Sequence, residues 1–130
     1  MGIFAVTKRP DNLGVTSGKL TPCSSASNCV SSQATGKHYI EPFPVGIEPV
    51  VYWENLRNGL AATTGMKLLE ATDTYMHFEC TTPLLGFVDD LELYLDAEIG
   101  VCHVRSASRF GYFDFGKNRQ RVESIRKKWL

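Results

Sequence analysis

The sequence has no long hydrophobic run and no excess of charge of either sign. Its 14 lysine and arginine residues balance 14 aspartate and glutamate residues. A chain without net charge has no overall attraction for nucleic acid, so we expect no nucleic-acid partner and interpret the basic last helix as a solvated surface. The apolar run at residues 2–6 is too short to span a bilayer or to form the core of a signal peptide. We expect a soluble protein without a transmembrane segment, cytoplasmic if the chain is complete; this leaves peripheral membrane association open.

Cysteine is scarce and recognisable motifs of catalytic or metal chemistry are missing. No pair of cysteines or histidines has the spacing of a zinc site, and the aspartates lack that of a calcium loop. We therefore expect no metal and no cofactor. Cys23 and Cys29 are separated by five residues in a segment rich in serine and asparagine. Two interpretations remain open for this pair: a small disulfide loop in an oxidising compartment, or two reduced thiols.

The chain divides by composition into an arm and a domain. Residues 1–36 contain several glycines, prolines and hydroxyl side chains, and their apolar residues have no regular spacing. This composition predicts an irregular arm that carries the cysteine pair. Residues 37–130 are predicted to form a single α+β domain. It begins with a strand over Lys37–Phe43 and a helix opened by Glu48-Pro49, and it ends with an amphipathic helix over Lys117–Trp129.

Four strands are predicted between the two helices, joined by turns at 73–74, 83–86 and 96–99. Their alternating pattern places Phe78 opposite both Leu69 and Leu91, and Leu91 opposite Val104, so that one apolar face crosses all four strands. Both helices must cover that face, because no other element can. The predicted architecture is an antiparallel sheet in the order β-α-β-β-β-β-α with two helices on one face, resembling helix-grip or TATA-binding-protein-like layouts.

Charged residues in the apolar strands are the main functional clue. The same alternation of side chains along each strand predicts that Asp89 points inward, level with Ser106. It predicts that Asp90 points outward and faces Arg105. A buried carboxylate is costly unless it has partners. Asp89 therefore either holds the connection to the last helix in place or lies at the mouth of a ligand cavity. The floor of that cavity would be Met76, Phe78, Leu91, Leu93 and Val104.

Arginines provide the second cluster. Arg105 and Arg109 are predicted to point to the same face of the sheet as Asp90, and Arg119 follows shortly afterwards in the sequence. They form either surface ion pairs of small energy or a site at which guanidinium groups and hydroxyls bind an anion. The candidate ligand-binding or anion-binding residues are Asp89, Asp90, Arg105, Ser106, Ser108, Arg109, Asn118 and Arg119.

These clusters specify a polar site but no reaction. The leading interpretation is a non-catalytic module that binds a small, partly apolar ligand or docks on a protein partner or membrane complex. The alternative is a hydrolase or transferase that uses Asp89 as a base or Cys29 as a nucleophile beside the arginine site.

Several runs of the sequence resemble an uncharacterised family known as domain of unknown function 1499. The runs are Leu20-Thr21-Pro22-Cys23, Asn28-Cys29-Val30-Ser31-Ser32, Tyr39-Ile40-Glu41-Pro42, Phe87 to Glu92, Val104 to Arg109 and Gly116 to Arg119. The resemblance extends from Leu20 onward and implies relatives in bacteria and photosynthetic lineages, but no activity. It draws attention to Asn28 and Cys29, and we hypothesise that the arm folds back to bring Cys23, Asn28 and Cys29 near Asp89 and Arg109.

Overall fold

The computed structural model describes residues 8–111 and 114–129 of the chain. Its elements follow one another as β1 (Val15–Thr16), β2 (Lys19–Leu20), β3 (Cys29–Ser31), β4 (Phe43–Pro44), α1 (Pro49–Ala61), β5 (Met66–Ala71), β6 (Tyr75–Thr81), β7 (Val88–Asp96), β8 (Val101–Ser108) and α2 (Lys117–Trp129), with a short 3-10 helix at Gly36–His38.

The main sheet has six strands in the order β3-β8-β7-β6-β5, and β4 also pairs with β8. Its strand pairs are antiparallel. Strands β1 and β2 form a separate hairpin. The predicted α+β class with an antiparallel sheet and two helices is confirmed, whereas the closer likeness to helix-grip or TATA-binding-protein layouts remains a prediction.

The hydrophobic core lies between one face of the sheet and the two helices. Both helices contribute to a single cluster of buried side chains, as predicted. The helix residues in this cluster are Trp53, Leu56 and Leu60 of α1 and Val122 and Ile125 of α2, and the central sheet residues are Met76, Phe78, Leu91, Leu93 and Val104. We call this the inner face of the sheet.

The predicted register is correct in one strand pair and shifted in its neighbour. Phe78 pairs with Leu91, as predicted. Val104 pairs with Leu93 rather than Leu91, because the β7–β8 connection occupies residues 97–100 and begins one residue later than predicted. A shift of two residues keeps every side chain on its predicted face.

Strand β5 contains an irregularity that the alternating pattern did not predict. Leu68, not Leu69, lies opposite Phe78, while Ala71 pairs with Met76 at the other end of the strand. The register changes between Leu68 and Glu70, so Leu69 is the extra residue of a bulge.

The predicted strand over Lys37–Phe43 is wrong, and the arm is not irregular throughout. Gly36, at φ +67°, starts a 3-10 turn, and Pro42 has no N–H to donate to a ladder. The edge beside β8 is filled instead by Phe43–Pro44 and by Cys29–Ser31 of the predicted arm. Part of residues 1–36 therefore belongs to the main sheet.

Gly59 allows α1 and the end of α2 to pack closely. A Cβ atom at this position would overlap the six-membered ring of Trp129. We therefore expect Gly59→Ala to lower the free energy of unfolding by about 1–3 kcal/mol, the usual cost of overpacking. Chemical denaturation of the purified variant measures this change.

The control for this prediction is the same substitution in a Trp129→Ala background. There the added methyl meets no ring, so alanine should stabilise the helix by about 0.5–1 kcal/mol relative to glycine. Destabilisation of equal size in both backgrounds would contradict the proposed contact.

Candidate functional site

Asp89 lies on the inner face of β7, where its side chain is completely buried. It is paired in the sheet with Cys80 on one side and Ser108 on the other, so its predicted inward orientation is observed, although its neighbour on β8 is Ser108 rather than Ser106. Two cations from α2 approach one of its oxygens. Arg121 Nη2 lies 2.7 Å from Oδ2, and Lys117 Nζ lies 3.3 Å from it.

The carboxylate of Asp89 is neutralised but not fully hydrogen-bonded. Neither oxygen accepts a well-aligned hydrogen bond from any residue in the described ranges 8–111 and 114–129. Both cations contact Oδ2, so Oδ1 is a buried acceptor with unused capacity. A buried acceptor in this state favours a bound hydrogen-bond donor.

Asn118 is the centre of a buried polar cluster beside Asp89. Its Nδ2 group donates to the Asn28 carbonyl at 3.1 Å, to Ser108 Oγ at 2.9 Å and to Asp114 Oδ2 at 2.7 Å. Its Oδ1 accepts from Ser106 Oγ and from the guanidinium of Arg121; these distances are 2.7 Å and 2.9 Å. Asn118, Ser106 and Ser108 therefore connect the arm, the sheet and α2.

A cavity of about 530 Å³ opens at this end of the sheet. We call it the end cavity. Its apolar walls come from the β6–β7 connection and from the segment after β8, and its polar side includes Asp89, Ser108, Asp114 and Lys117. The apolar lining residues are Pro83, Leu84, Leu85, Phe87, Phe110 and Phe115.

The end cavity is not the one that the sequence predicted. The proposed floor residues, among them Met76, Leu91 and Val104, are fully buried beneath the helices. The walls instead come from connecting segments with exposed apolar side chains, such as Leu84 at 96% exposure and Phe115 at 84%. Alternating strand patterns carry no signal for such residues, because they lie outside the strands.

The opposite, outer face of the sheet holds a network of buried charges around Asp90. Arg109 donates to both oxygens of Asp90, from Nε at 2.8 Å and from Nη2 at 2.7 Å. His77 Nε2 lies 2.7 Å from Asp90 Oδ1, and Arg109 also donates to Glu79. Burial raises the pKa of Asp90, but the hydrogen bonds from Arg109 and His77 outweigh it and hold that pKa below its ordinary value.

A second buried group on the outer face surrounds Glu92. Arg105 Nη1 donates to Oε1 at 3.1 Å, and the Tyr75 hydroxyl donates to Oε2 at 2.6 Å. The amide of Gly14 also donates to Oε2, at 2.7 Å. Burial, together with the hydrogen bond to Glu92, raises the pKa of Tyr75.

The prediction that Asp90 faces solvent opposite Arg105 is therefore wrong in two respects. Arg105 pairs with Glu92, and Asp90 pairs with Ala107. Asp90 is only 2% exposed, because part of the arm covers the outer face of the sheet. The energies of exposed ion pairs do not apply to such contacts.

The candidate anion site is divided rather than assembled. The guanidinium groups of Arg105 and Arg109 already contact carboxylates of the chain. Arg119 lies elsewhere and donates to the carbonyls of Lys37 and Tyr39. The eight candidate residues thus fall on the two faces of the sheet and at its edge, so they do not form one site.

The cysteines are in two different states. Cys23 and Cys29 form a disulfide, which confirms one of the two interpretations and leaves Cys29 without a thiol for catalysis. Cys80 and Cys102 are free and buried, and burial raises the pKa of Cys80 to about 11. Of the hypothesised neighbours, Asn28, Cys29 and Arg109 line a common cavity of about 240 Å³, whereas Asp89 lies on the inner face.

The two cations that pair with Asp89 were not predicted from the sequence. Lys117 and Arg121 are four residues apart and therefore share one face of α2. This spacing, at the start of a helix that must pack on the face carrying Asp89, was the available signal. The residues that cover Asp90 and Glu92 had no comparable signal.

The described residues contain neither a metal-binding cluster nor a membrane-spanning helix. Within residues 8–111 and 114–129, no group of three histidine, cysteine, aspartate or glutamate side chains is arranged to hold a metal ion. Over the same residues, no helix has the length and apolar character needed to cross a bilayer.

Comparison with known proteins identifies a family. A family described as "Protein of unknown function (DUF1499)" matches residues 19–129. No curated protein and no solved structure matches the chain.

Proposed function

Because the chain belongs to the DUF1499 family, which is described only as of unknown function, we propose a function from the end cavity: the protein binds a small amphipathic molecule. The apolar part of this ligand lies between the β6–β7 connection and the segment after β8. Its polar head donates a hydrogen bond to Asp89. The protein acts as a carrier or sensor of this ligand and catalyses no reaction on it.

The unused acceptor of Asp89 is the observation that carries the proposal. Oδ1 is buried and receives no hydrogen bond from the described residues, and Asp89 is one of the residues that line the end cavity. Sites for small molecules commonly combine apolar walls with a few such polar groups. A neutral hydroxyl or amide group would satisfy Oδ1. An ammonium group would be a third positive charge beside Lys117 and Arg121, and a carboxylate would add a negative charge beside Asp89 and Asp114.

The cavity walls support an apolar ligand of moderate size. Leu85 is 58% exposed and Phe110 is 51% exposed, and both line the cavity. Phe110 also stacks on Phe87 with 5.7 Å between the ring centroids. A bound alkyl or ring system would remove this apolar surface from water, which stabilises the complex by about 25 cal/mol per Å² of buried area.

The test uses three amphiphiles with the same ten-carbon chain: 1-decanol, decylamine and decanoate, each below its aggregation concentration. We expect decanol to raise the melting temperature most, because a ligand that binds only the folded state stabilises it by mass action. Decylamine and decanoate should shift it less. No shift with any probe would contradict the proposed function, and the largest shift with either charged probe would contradict the assigned head group.

Matched variants locate the binding site. Leu85→Ser removes an exposed apolar side chain from the cavity wall, so it should weaken decanol binding by about tenfold, or 1–2 kcal/mol, with stability unchanged within about 0.5 kcal/mol. Ile47→Ser is the control, since Ile47 is 97% exposed and does not line the cavity. Equal affinities of the two variants, measured by titration calorimetry, would contradict this location.

A further inference from the structure

We propose that the Cys23–Cys29 disulfide is a site of reversible thiol–disulfide exchange with a dithiol reductant, and that its reduction releases the segment covering the outer face of the sheet. We call this segment, residues 9–24, the cover. The inference is independent of the end cavity, because the disulfide and the cover are not among the residues that line it.

The two sulfurs differ in how a reagent can reach them. Cys29 belongs to β3 and is 5% exposed, whereas Cys23 is only partly buried and precedes the strand. A cavity of about 450 Å³ lies against Cys23, lined also by Lys19, Pro22 and His38. Cys23 is therefore the more accessible of the two residues for an incoming thiolate.

We assign Cys29 as the leaving group because cationic residues share a cavity with it. A separate cavity of about 200 Å³ is lined by Cys29 together with Lys37 and Arg119, and with His38 and Asp114. Asp114 is engaged at the start of α2, where it accepts from the amides of Gly116 and Asn118. Nearby positive charge stabilises a thiolate, and a more stable thiolate leaves faster.

The exchange balances as follows. A thiolate of the reductant attacks Cys23 Sγ, the Cys23–Cys29 bond breaks, and Cys29 leaves as a thiolate. The second thiolate of the reductant then attacks its own sulfur in the mixed disulfide and releases Cys23. The reductant is oxidised to a disulfide, and the two protons that it loses pass to Cys23 and Cys29.

The cover is held mainly by polar contacts. Leu20 is its one buried hydrophobic residue in a segment that the structure describes throughout. Gly14 donates to Glu92, and the side chain of Gln33 bonds the backbone of Gly18 and Leu20. Such contacts can be exchanged for water, so the disulfide that anchors the end of the cover contributes strongly to its closure.

The cover lies over a cluster of buried charged residues, and its release would expose them. Asp90, Glu92 and Arg105 are each less than 10% exposed, and cover residues such as Pro10 and Pro22 share a cavity with Asp90 and Arg105. Arg105 Nε is buried without a hydrogen-bond acceptor among the described residues. Release of the cover would present this charged cluster to solvent and to partners.

The experiment is titration of the folded protein with dithiothreitol, followed by rapid alkylation and mass spectrometry. We expect Cys23 and Cys29 to become alkylated while Cys80 and Cys102, which are buried and free, remain protected. Trypsin cleavage after Lys19 should then accelerate by roughly 50-fold, the chain-entropy effect of opening a seven-residue loop. Alkylation of all four cysteines together would show that the disulfide opens only on global unfolding and would overturn the proposal.

Three further measurements test the route and the cover separately. A monothiol such as glutathione should form its mixed disulfide on Cys23, and an adduct on Cys29 would overturn the assigned direction. Lys37→Gln should slow reduction severalfold, whereas Lys67→Gln, which removes the same charge from β5, should not. Unchanged amide protection of Gly14 and Leu20 after reduction would overturn release of the cover.

Discussion

Replacing Asp90 by asparagine is expected to lower the free energy of unfolding by about 3–5 kcal/mol, the range for removing one partner of a buried ion pair. Asp90 is 2% exposed, and the side chain of its partner Arg109 is 5% exposed. The substitution keeps the volume of the side chain but leaves the guanidinium without its bidentate carboxylate. Urea denaturation of the two proteins measures the difference.

Glu79→Gln is the matched control for this substitution. Glu79 also contacts Arg109, at 2.8 Å, but its side chain is 22% exposed. Water can replace much of this interaction, so we expect a loss of about 1 kcal/mol or less. Equal losses in the two variants would mean that burial does not govern the energy of this network.

The same network predicts how stability depends on pH. The pKa of Asp90 in the folded protein lies below its ordinary value, so folding favours the ionised carboxylate. Its contribution is therefore complete above the unfolded-state pKa, about 4. It is lost as the pH falls from that value through the lower pKa of the folded state. The stability difference between the wild type and Asp90→Asn should shrink over this acid range, and a constant difference would contradict the assignment.

The second large effect is expected at Asn118. Asn118→Ala removes, at a completely buried position, an amide that donates to three acceptors through two N–H groups and accepts from two donors. Some partners, such as Ser106, lie deep in the protein and cannot reach water. Leaving such groups unsatisfied costs about 1–3 kcal/mol each, and we expect a total loss of about 2–4 kcal/mol because other partners retain a bond.

Asn55→Ala provides the comparison for Asn118. Asn55 lies on the exposed side of α1, so alanine should be neutral or slightly stabilising there through its higher helix propensity. Hydrogen exchange adds a readout that is specific to the cluster. In Asn118→Ala, the amide of Ser108, which donates to the Asn28 carbonyl, should lose protection beyond the global loss of stability. If its protection falls only by the global amount, Asn118 does not hold these segments together.

The central fold was predictable because its side chains follow simple periods. Alternation through Phe78 and Leu91 fixed one face of the sheet, and the stripe of Val122 and Ile125 identified the last helix. The short edge strands were not predictable in this way. Strand β3 spans only Cys29–Ser31, and β4 only two residues, so neither is long enough to show a period. Their positions are set by pairing with β8.

The candidate site was predictable only in part, for a different reason. The alternation of side chains along the strand correctly predicted that Asp89 points inward, because a strand side chain can face only one of two ways. This alternation carries no information about which residues cover the other face of the sheet, so Asp90 was wrongly predicted to face solvent. The cavity walls at Leu85 and Phe110 lie in connecting segments, whose conformation depends on contacts distant in sequence.

The bulge in β5 has a consequence for the protein at high concentration. Among the described strands, β5 ends the sheet on one side, and the backbone groups along its outer edge would be a template on which another molecule could add a strand. The change of register after Leu68 breaks this row, and the exposed charges of Lys67 and Glu70 flank the break. The irregularity therefore makes this border of the sheet less suited to the addition of a strand from another molecule.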